Sequence, residues 1–195
     1  MKKFIVIGDS HVRQFMGQNF LVYVTTKQDP SWNPFWLFGI GPATCWNFAD
    51  KYKKETSDIL NEHWHAGDHV LFSLGEIDCR CHVVKQAQIQ KRPIFEMARE
   101  VANRYLSIAS QFNSFSPVLL GLPPQLREKG QGGEGIWTPV GTRQERNEAT
   151  DTFNDALKSS GRTFWIIQRP DLMPDSIHVS GEEARQHYLA LAKTI

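Results

Sequence analysis

The chain has 195 residues, 41% of them hydrophobic and 22% charged, the composition of an ordinary globular protein of about one domain. Its 22 Lys and Arg residues against 21 Asp and Glu residues leave a formal net charge of +1, so the charge favours no nucleic-acid partner. Three cysteines, Cys45, Cys79 and Cys81, are an odd number at irregular spacing, which is typical of a reduced compartment. The longest apolar runs are strand-sized, and the one after Met1 stops at Gly8. We therefore expect no membrane partner, no signal peptide and a cytoplasmic protein.

Short apolar runs alternate with segments of helical period, the pattern of βα units around a parallel sheet. Strands are predicted at 4–7, 20–24, 35–38, 69–74, 118–122 and 163–167. The second of these is weak, and the third fits a loop nearly as well. Apolar stripes predict helices at 46–60, 94–108 and 149–157, and Ser180-Gly-Glu-Glu183 predicts the capped start of a last helix.

We predict a single α/β domain over residues 1–195. The stretch 123–142 has no period and a glycine-rich centre. A stretch of this kind is either a lid or binding loop, or a mobile surface insertion with no role.

The first predicted strand runs directly into Gly8-Asp9-Ser10-His11, and a stretch of helical spacing follows. Ser10 is thus predicted at the carboxyl edge of the sheet, where open parallel sheets bind ligands. It also begins the next helix, where backbone N–H groups favour a developing negative charge. The alternative is that Asp9 or Ser10 only caps that helix.

Asp175-Ser-Ile-His178 lies on a predicted loop between the last strand and the last helix. A serine hydroxyl becomes a nucleophile when an imidazole takes its proton and a carboxylate orients that imidazole. Asp175 and His178 have the residue types and spacing for this pair, and a chain of this length is compact enough to bring them to Ser10. The alternative is an ordinary surface Asp and His near a helix start.

The order of four blocks resembles the SGNH (GDSL-like) hydrolase superfamily over nearly the whole chain. The blocks are Gly8-Asp9-Ser10, the turn Gly39-Ile-Gly41, Gly75-Glu-Ile-Asp78 and Asp175-x-x-His178. The resemblance implies a flavodoxin-like, three-layer α/β/α sandwich with a central parallel sheet of about five strands. It further implies ester hydrolysis without a cofactor, with Ser10 as nucleophile, His178 as general base and Asp175 as its partner. The N–H groups of Ser10 and Gly41 would form the oxyanion hole, with Gly39 as the alternative to Gly41.

The third block departs from the family pattern Gly-x-Asn-Asp, because Ile77 stands where the asparagine supplies the third oxyanion donor. Loss of one such donor costs about 3 kcal/mol of transition-state stabilisation unless another group replaces it. Arg80 is a candidate replacement; alternatively it binds an anionic group of the substrate or pairs with Asp78 or Glu76. Asp9, Asp78 and Arg80 are the candidate substrate-binding residues.

The predicted function is a serine esterase that removes an acyl group, in the first place acetyl, from a carbohydrate or another polar small-molecule ester. The blocks resemble a branch associated with polysaccharide biosynthesis and modification. The alternatives are a non-catalytic ligand- or glycan-binding protein on the same fold and an O-acyltransferase. The residues imply no particular oligomeric state.

Two further groups of residues contain side chains that often bind ligands. Cys79-Arg-Cys81-His82, with His63 and His65 upstream, contains zinc-ligating residue types but no second spaced pair, so we expect no metal. Among the six tryptophans, Trp32, Trp36 and Trp137 are expected to line a cleft and the others to lie in the core or at its edge.

Overall fold

A five-stranded parallel sheet forms the centre of the structure, a computed structural model that describes residues 2–16, 33–115, 117–127, 138–167, 171, 173 and 182–195. The strands lie in the order β2-β1-β3-β4-β5, and every neighbouring pair is parallel. Their bounds are Phe4–Gly8 (β1), Phe35–Gly39 (β2), His69–Ser73 (β3), Pro117–Leu120 (β4) and Phe164–Trp165 (β5). The runs are almost continuously apolar because helices cover both faces of the sheet.

Helices pack on both faces of this sheet. Their bounds are Phe48–Lys51 (α1), Lys53–His63 (α2), Val84–Gln90 (α3), Ile94–Gln111 (α4), Arg143–Lys158 (α5) and Glu182–Ala192 (α6), with 3₁₀ helices at Ser10–Phe15 and Asn113–Phe115 and a π-helix at Asp78–Val83. Ile5 and Ile7 point to the core shared with α1 to α5, whereas Phe4 and Val6 point to the core shared with the Ser10–Phe15 helix and α6. This alternation along β1 separates the two cores.

The predicted architecture of a parallel sheet between two helical layers is confirmed. Five of the six predicted strands are present, and 35–38 is a strand and not a loop. The predicted strand 20–24 and the predicted capping residue Ser180 lie outside the described residues. None of the described helices combines the length and apolarity that a membrane span requires.

Three local predictions need correction. The helix expected at 46–60 is divided at Tyr52 into α1 and α2. The segment after Ser10 is a 3₁₀ helix of six residues, too short for the full helix dipole expected there. The π-helix and α3 were not predicted, because the buried polar residues of the π-helix hide its helical period.

Gly8 allows β1 to approach β3 closely. A Cβ built on Gly8 would meet the Ser73 carbonyl oxygen and lie 2.7 Å from the Ser73 Cβ. Gly8→Ala is therefore expected to lower the free energy of unfolding by about 3 kcal/mol, because two central strands must separate. Urea denaturation of the wild type and of the variant measures this difference in the free energy of unfolding.

Gly67→Ala is the matched control. Gly67 has φ +97° but nothing within 4 Å of its added Cβ, so that substitution tests backbone strain alone and is expected to cost about 1 kcal/mol. Equal losses in the two variants would contradict the close-approach argument.

Candidate active site

The strand register brings three sequence blocks to one edge of the sheet. Gly8 is paired with Gly39 of β2 on one side and with Ser73 of β3 on the other. Ser10 and Gly41 each lie two residues past these paired positions. Both therefore lie at the carboxyl edge of adjacent strands, where parallel sheets bind ligands.

Gly41 has the backbone geometry of a turn that glycine favours. Its φ is +91°, and the Ile40 N–H donates to the Gly8 carbonyl at 2.9 Å, which extends the β1–β2 pairing up to this turn. No residue in the described part of the chain accepts a hydrogen bond from the Gly41 N–H. This donor is therefore not used within the described part of the chain.

Ser10 is half-buried and lies between two buried partners that bond to each other. Asp9 Oδ1 accepts hydrogen bonds from the His11 N–H and from His11 Nδ1, both at 2.8 Å. The Asp9 N–H in turn donates to the Ser73 carbonyl at 3.3 Å. These bonds fix the backbone on either side of the serine.

The same network continues into the third block. His11 Nε2 lies 3.7 Å from Glu76 Oε2, and Arg80 Nε donates to Glu76 Oε1 at 2.7 Å. Asp9, His11, Glu76 and Arg80 are at most 7% exposed. Burial alone would lower the pKa of His11, but the charges of Asp9 and Glu76 raise it above its ordinary value. Two acidic and two basic side chains thus form one buried chain of contacts beside Ser10.

Asp78 joins the third block to the Gly41 turn. Its Oδ2 accepts a hydrogen bond from the Cys45 N–H at 2.8 Å, and the side chain is fully buried. Burial raises the pKa of Asp78 to about 7. The hydrogen bond from the Cys45 N–H opposes this rise in pKa, and the charges of Asp9 and Glu76 add to it. The carboxyl group therefore holds the turn that carries Gly41.

Ile77 is buried and supplies an apolar side chain at the position where the resemblance predicted an asparagine. The π-helix Asp78–Val83 begins directly after it. Arg80, the candidate replacement donor, directs its Nε to Glu76. The geometry thus shows Arg80 in an ion pair, one of the three roles considered for it.

Both described ends of the 123–142 stretch are fastened to α5. The buried Arg146 guanidinium donates to the carbonyl oxygens of Gly141, at 2.7 Å, and of Arg127. Asn147 exchanges two hydrogen bonds with the backbone of Gln125. The stretch thus starts and ends at fixed points, whereas its residues 128–137 lie outside the described part.

Several predicted site residues lie outside the described residues, namely Asp175, His178, Trp32 and Trp137. Trp36 is half-buried in β2 and packs against the core, with the Lys3 ammonium over its ring. Within the described ranges, no three His, Cys, Asp or Glu side chains are grouped to hold a metal. The three cysteines are buried free thiols, and burial raises the pKa of each, to about 11 for Cys81.

One contact of the site was among the alternatives drawn from the sequence, and the others were not. The Glu76–Arg80 pair has the four-residue spacing of a helical ion pair, a signal that was available. The contacts of His11 with Asp9 and Glu76 carry no such signal. The contact with Glu76 joins segments that follow two different strands, β1 and β3.

Comparison with known proteins gives structural matches only. No family model and no curated protein matches the sequence. The native aryl esterase of M. smegmatis superimposes with a TM-score of 0.58 at 16% identity, over 100% of this chain and 98% of that one. This chain has the fold of known esterases.

Two carbohydrate-directed enzymes show the same fold. An acetyl xylan esterase matches with a TM-score of 0.53 at 14% identity, over 99% of this chain and 100% of that one. A carbohydrate acetylesterase from Sinorhizobium meliloti matches with a TM-score of 0.53 at 15% identity, over 100% of this chain and 98% of that one. The predicted three-layer α/β fold is confirmed by these matches.

Proposed function

We propose that this protein is a serine esterase of the SGNH type that removes an acyl group, in the first place acetyl, from a carbohydrate or a similar polar ester. The observation that carries the proposal is that Ser10 and the Gly41 N–H, which no described residue engages, lie two residues past paired positions of adjacent strands. The neighbouring folds named as an aryl esterase, an acetyl xylan esterase and a carbohydrate acetylesterase support it.

In the proposed reaction Ser10 Oγ attacks the ester carbonyl carbon while the imidazole of His178, oriented by Asp175, takes the hydroxyl proton. The N–H groups of Ser10 and Gly41 hold the resulting oxyanion. Collapse of the tetrahedral intermediate expels the alcohol, which takes the proton from His178. Water, deprotonated by the same imidazole, then cleaves the acyl-serine and releases the carboxylic acid. The roles of His178 and Asp175 rest on the sequence resemblance.

We assign Asp9, Asp78 and Arg80 to positioning rather than to direct substrate contact. All three are buried, and their bonds run to protein groups: Asp9 bonds His11, Asp78 bonds the segment after Gly41, and Arg80 bonds Glu76 after β3. Catalysis by oxyanion stabilisation depends on donors that are held in place before the substrate arrives. The buried chain supplies that rigidity.

The second candidate is a non-catalytic glycan-binding protein, and the buried apolar Ile77 favours it. A small aryl acetate and an acetylated oligosaccharide separate the two functions. The esterase releases acetate from both and shows saturation, whereas a binding protein releases none above the uncatalysed rate. Transfer of the acyl group to an added sugar hydroxyl in preference to water would identify an O-acyltransferase.

Gly41→Ala is expected to lower kcat for an aryl acetate by about 10- to 100-fold. A Cβ at this position has room, since its nearest neighbour is Tyr52 Oη at 3.5 Å, but φ +91° is strained for alanine and the N–H must shift. The effect falls on kcat because the oxyanion forms only in the transition state. Steady-state kinetics measures it.

Gly161→Ala provides the control, as its φ is +72° and it lies in open space after α5. That variant is expected to keep kcat within about twofold of wild type, since it changes only an exposed turn. An unchanged kcat in Gly41→Ala would remove Gly41 from the oxyanion hole.

A further inference from the structure

A groove of about 330 Å³ lies beside the Gly41 turn, lined by Thr44, Trp46, His82, Gln86 and Gln90. The volume lies within the range of small-ligand sites. We propose that this groove binds a sugar residue, neutral or anionic, next to the acylated one. The proposal rests on the esterase function above and extends it to the glycan chain that carries the ester.

The groove is close enough to the reacting centre to serve the same substrate. Thr44 follows Gly41 by three residues, which places their Cα atoms within about 11 Å of each other. The Asp78 carboxyl group bonds the Cys45 N–H at 2.8 Å and fixes this wall. A chain of linked sugars can therefore occupy the groove and the candidate active site together.

Polar groups around the groove have hydrogen-bonding capacity that the described protein does not use. Trp46 Nε1, both ring nitrogens of His82 and Gln86 Nε2 have no hydrogen-bond partner among the described residues. Thr44 Oγ1 accepts from the Asn47 N–H and retains its own hydroxyl proton to donate. Several donors and acceptors around one concave site match the many hydroxyl groups of a sugar.

The apolar part of the groove is held rigidly. The Arg104 guanidinium carbon lies 3.4 Å from the centre of the Trp46 ring, a cation–π contact, and Trp46 packs at the edge of the core. Arg104 covers one face of the ring, so Trp46 offers its remaining exposed surface to the C–H groups of a sugar ring. It differs from the tryptophans expected to line the cleft.

The lining of the groove offers no counter-charge to a cationic ligand. None of its five lining residues carries a carboxylate. Burial, with the nearby charges of Lys85 and Arg80, lowers the pKa of His82, so the imidazole is neutral at pH 7 and both donates and accepts. Neutral sugars and uronic acids fit this environment better than amino sugars.

Gln86→Leu tests the site, with Gln88→Leu as the matched control. Gln88 lies on the same helix, is exposed and lies outside the groove. Xylotetraose, tetragalacturonate and a tetramer of glucosamine carry no acyl ester, so each is titrated by calorimetry without turnover, in the Ser10→Ala background. Gln86→Leu is expected to weaken binding of the first two by about 5- to 10-fold, the effect of losing one hydrogen bond, and Gln88→Leu by less than twofold.

The outcomes separate this inference from the esterase proposal. Equal affinities in Gln86→Leu and Gln88→Leu, absence of binding by both the neutral and the anionic tetramer, or tightest binding of the glucosamine tetramer would each overturn the sugar site. Hydrolysis that survives in Ser10→Ala would overturn the esterase mechanism and leave the binding result standing. Thermal denaturation of each variant confirms that the fold is retained.

Discussion

Ser10→Ala is expected to lower kcat/KM for a small aryl acetate by about 10⁴-fold or more, the largest effect of any substitution in the chain. The hydroxyl is the only group in the proposed mechanism that forms a bond to the acyl carbon, so no acyl-enzyme can form without it. Steady-state hydrolysis of wild type and variant at equal concentrations measures the ratio. His178→Ala is expected to cause a similar loss.

Ser57→Ala is the matched control, because Ser57 is half-buried on α2 and bonds only the Lys53 carbonyl among the described residues. Its activity is expected to remain within twofold of wild type. The double variant of Ser10 and His178 should lose little more than either single variant, since the two side chains act as one unit. Independent, multiplicative losses would show that they do not cooperate.

Asp78→Asn is expected to stabilise the protein at alkaline pH by about 4 kcal/mol relative to wild type. The pKa of this carboxyl is about 7 in the folded protein against an ordinary 3.8, so the folded state holds a proton that the unfolded state has released. Stability contributed by that proton is present below pH 3.8 and is lost as the pH rises through 7. Asparagine resembles the neutral form and can still accept from the Cys45 N–H.

Urea denaturation at a series of pH values measures the difference between the two proteins. That difference should grow from about pH 4 and level off above about pH 8. Asp58→Asn, which removes an exposed ion pair with Lys54, is expected to stay within about 0.5 kcal/mol of wild type throughout. A difference between Asp78→Asn and wild type that does not depend on pH would show that Asp78 is ionised in the folded protein at all these pH values.

The strands could be predicted because they depend on local sequence pattern. The position of the first three site blocks could be predicted because neighbouring parallel strands end at the same edge of a sheet. Runs such as Phe4–Gly8 and His69–Ser73 are apolar without interruption, as strands buried on both faces must be. Parallel pairing then places whatever follows each strand at the same edge. Ser10 and Gly41 reach that edge for this reason.

The π-helix and α3 could not be predicted from hydrophobic period. Asp78 and Arg80 are buried at positions where the pattern requires apolar residues, because Asp78 bonds the Cys45 N–H and Arg80 pairs with Glu76. The Asp78 bond joins residues far apart in the chain and leaves no mark within a short window of sequence. The groove beside Trp46 was missed for the same reason, since three of its lining residues come from the π-helix and α3.

The contacts of His11 illustrate the same limit at the site itself. Its bond to Asp9 joins residues two apart, but its approach to Glu76 depends on β1 and β3 being neighbours in the sheet. Sequence reasoning identified the block that contains this histidine and assigned no role to its side chain. The structure assigns it to the buried chain that holds Ser10 in place.

Covalent labelling tests the nucleophile most directly. Wild-type protein is incubated with a serine-directed alkyl phosphonate, digested and analysed by mass spectrometry. The account predicts one adduct per chain, on the peptide containing Ser10, and no adduct in the Ser10→Ala variant. An adduct on another residue, or ester hydrolysis by a protein that the phosphonate neither labels nor inhibits, would contradict it.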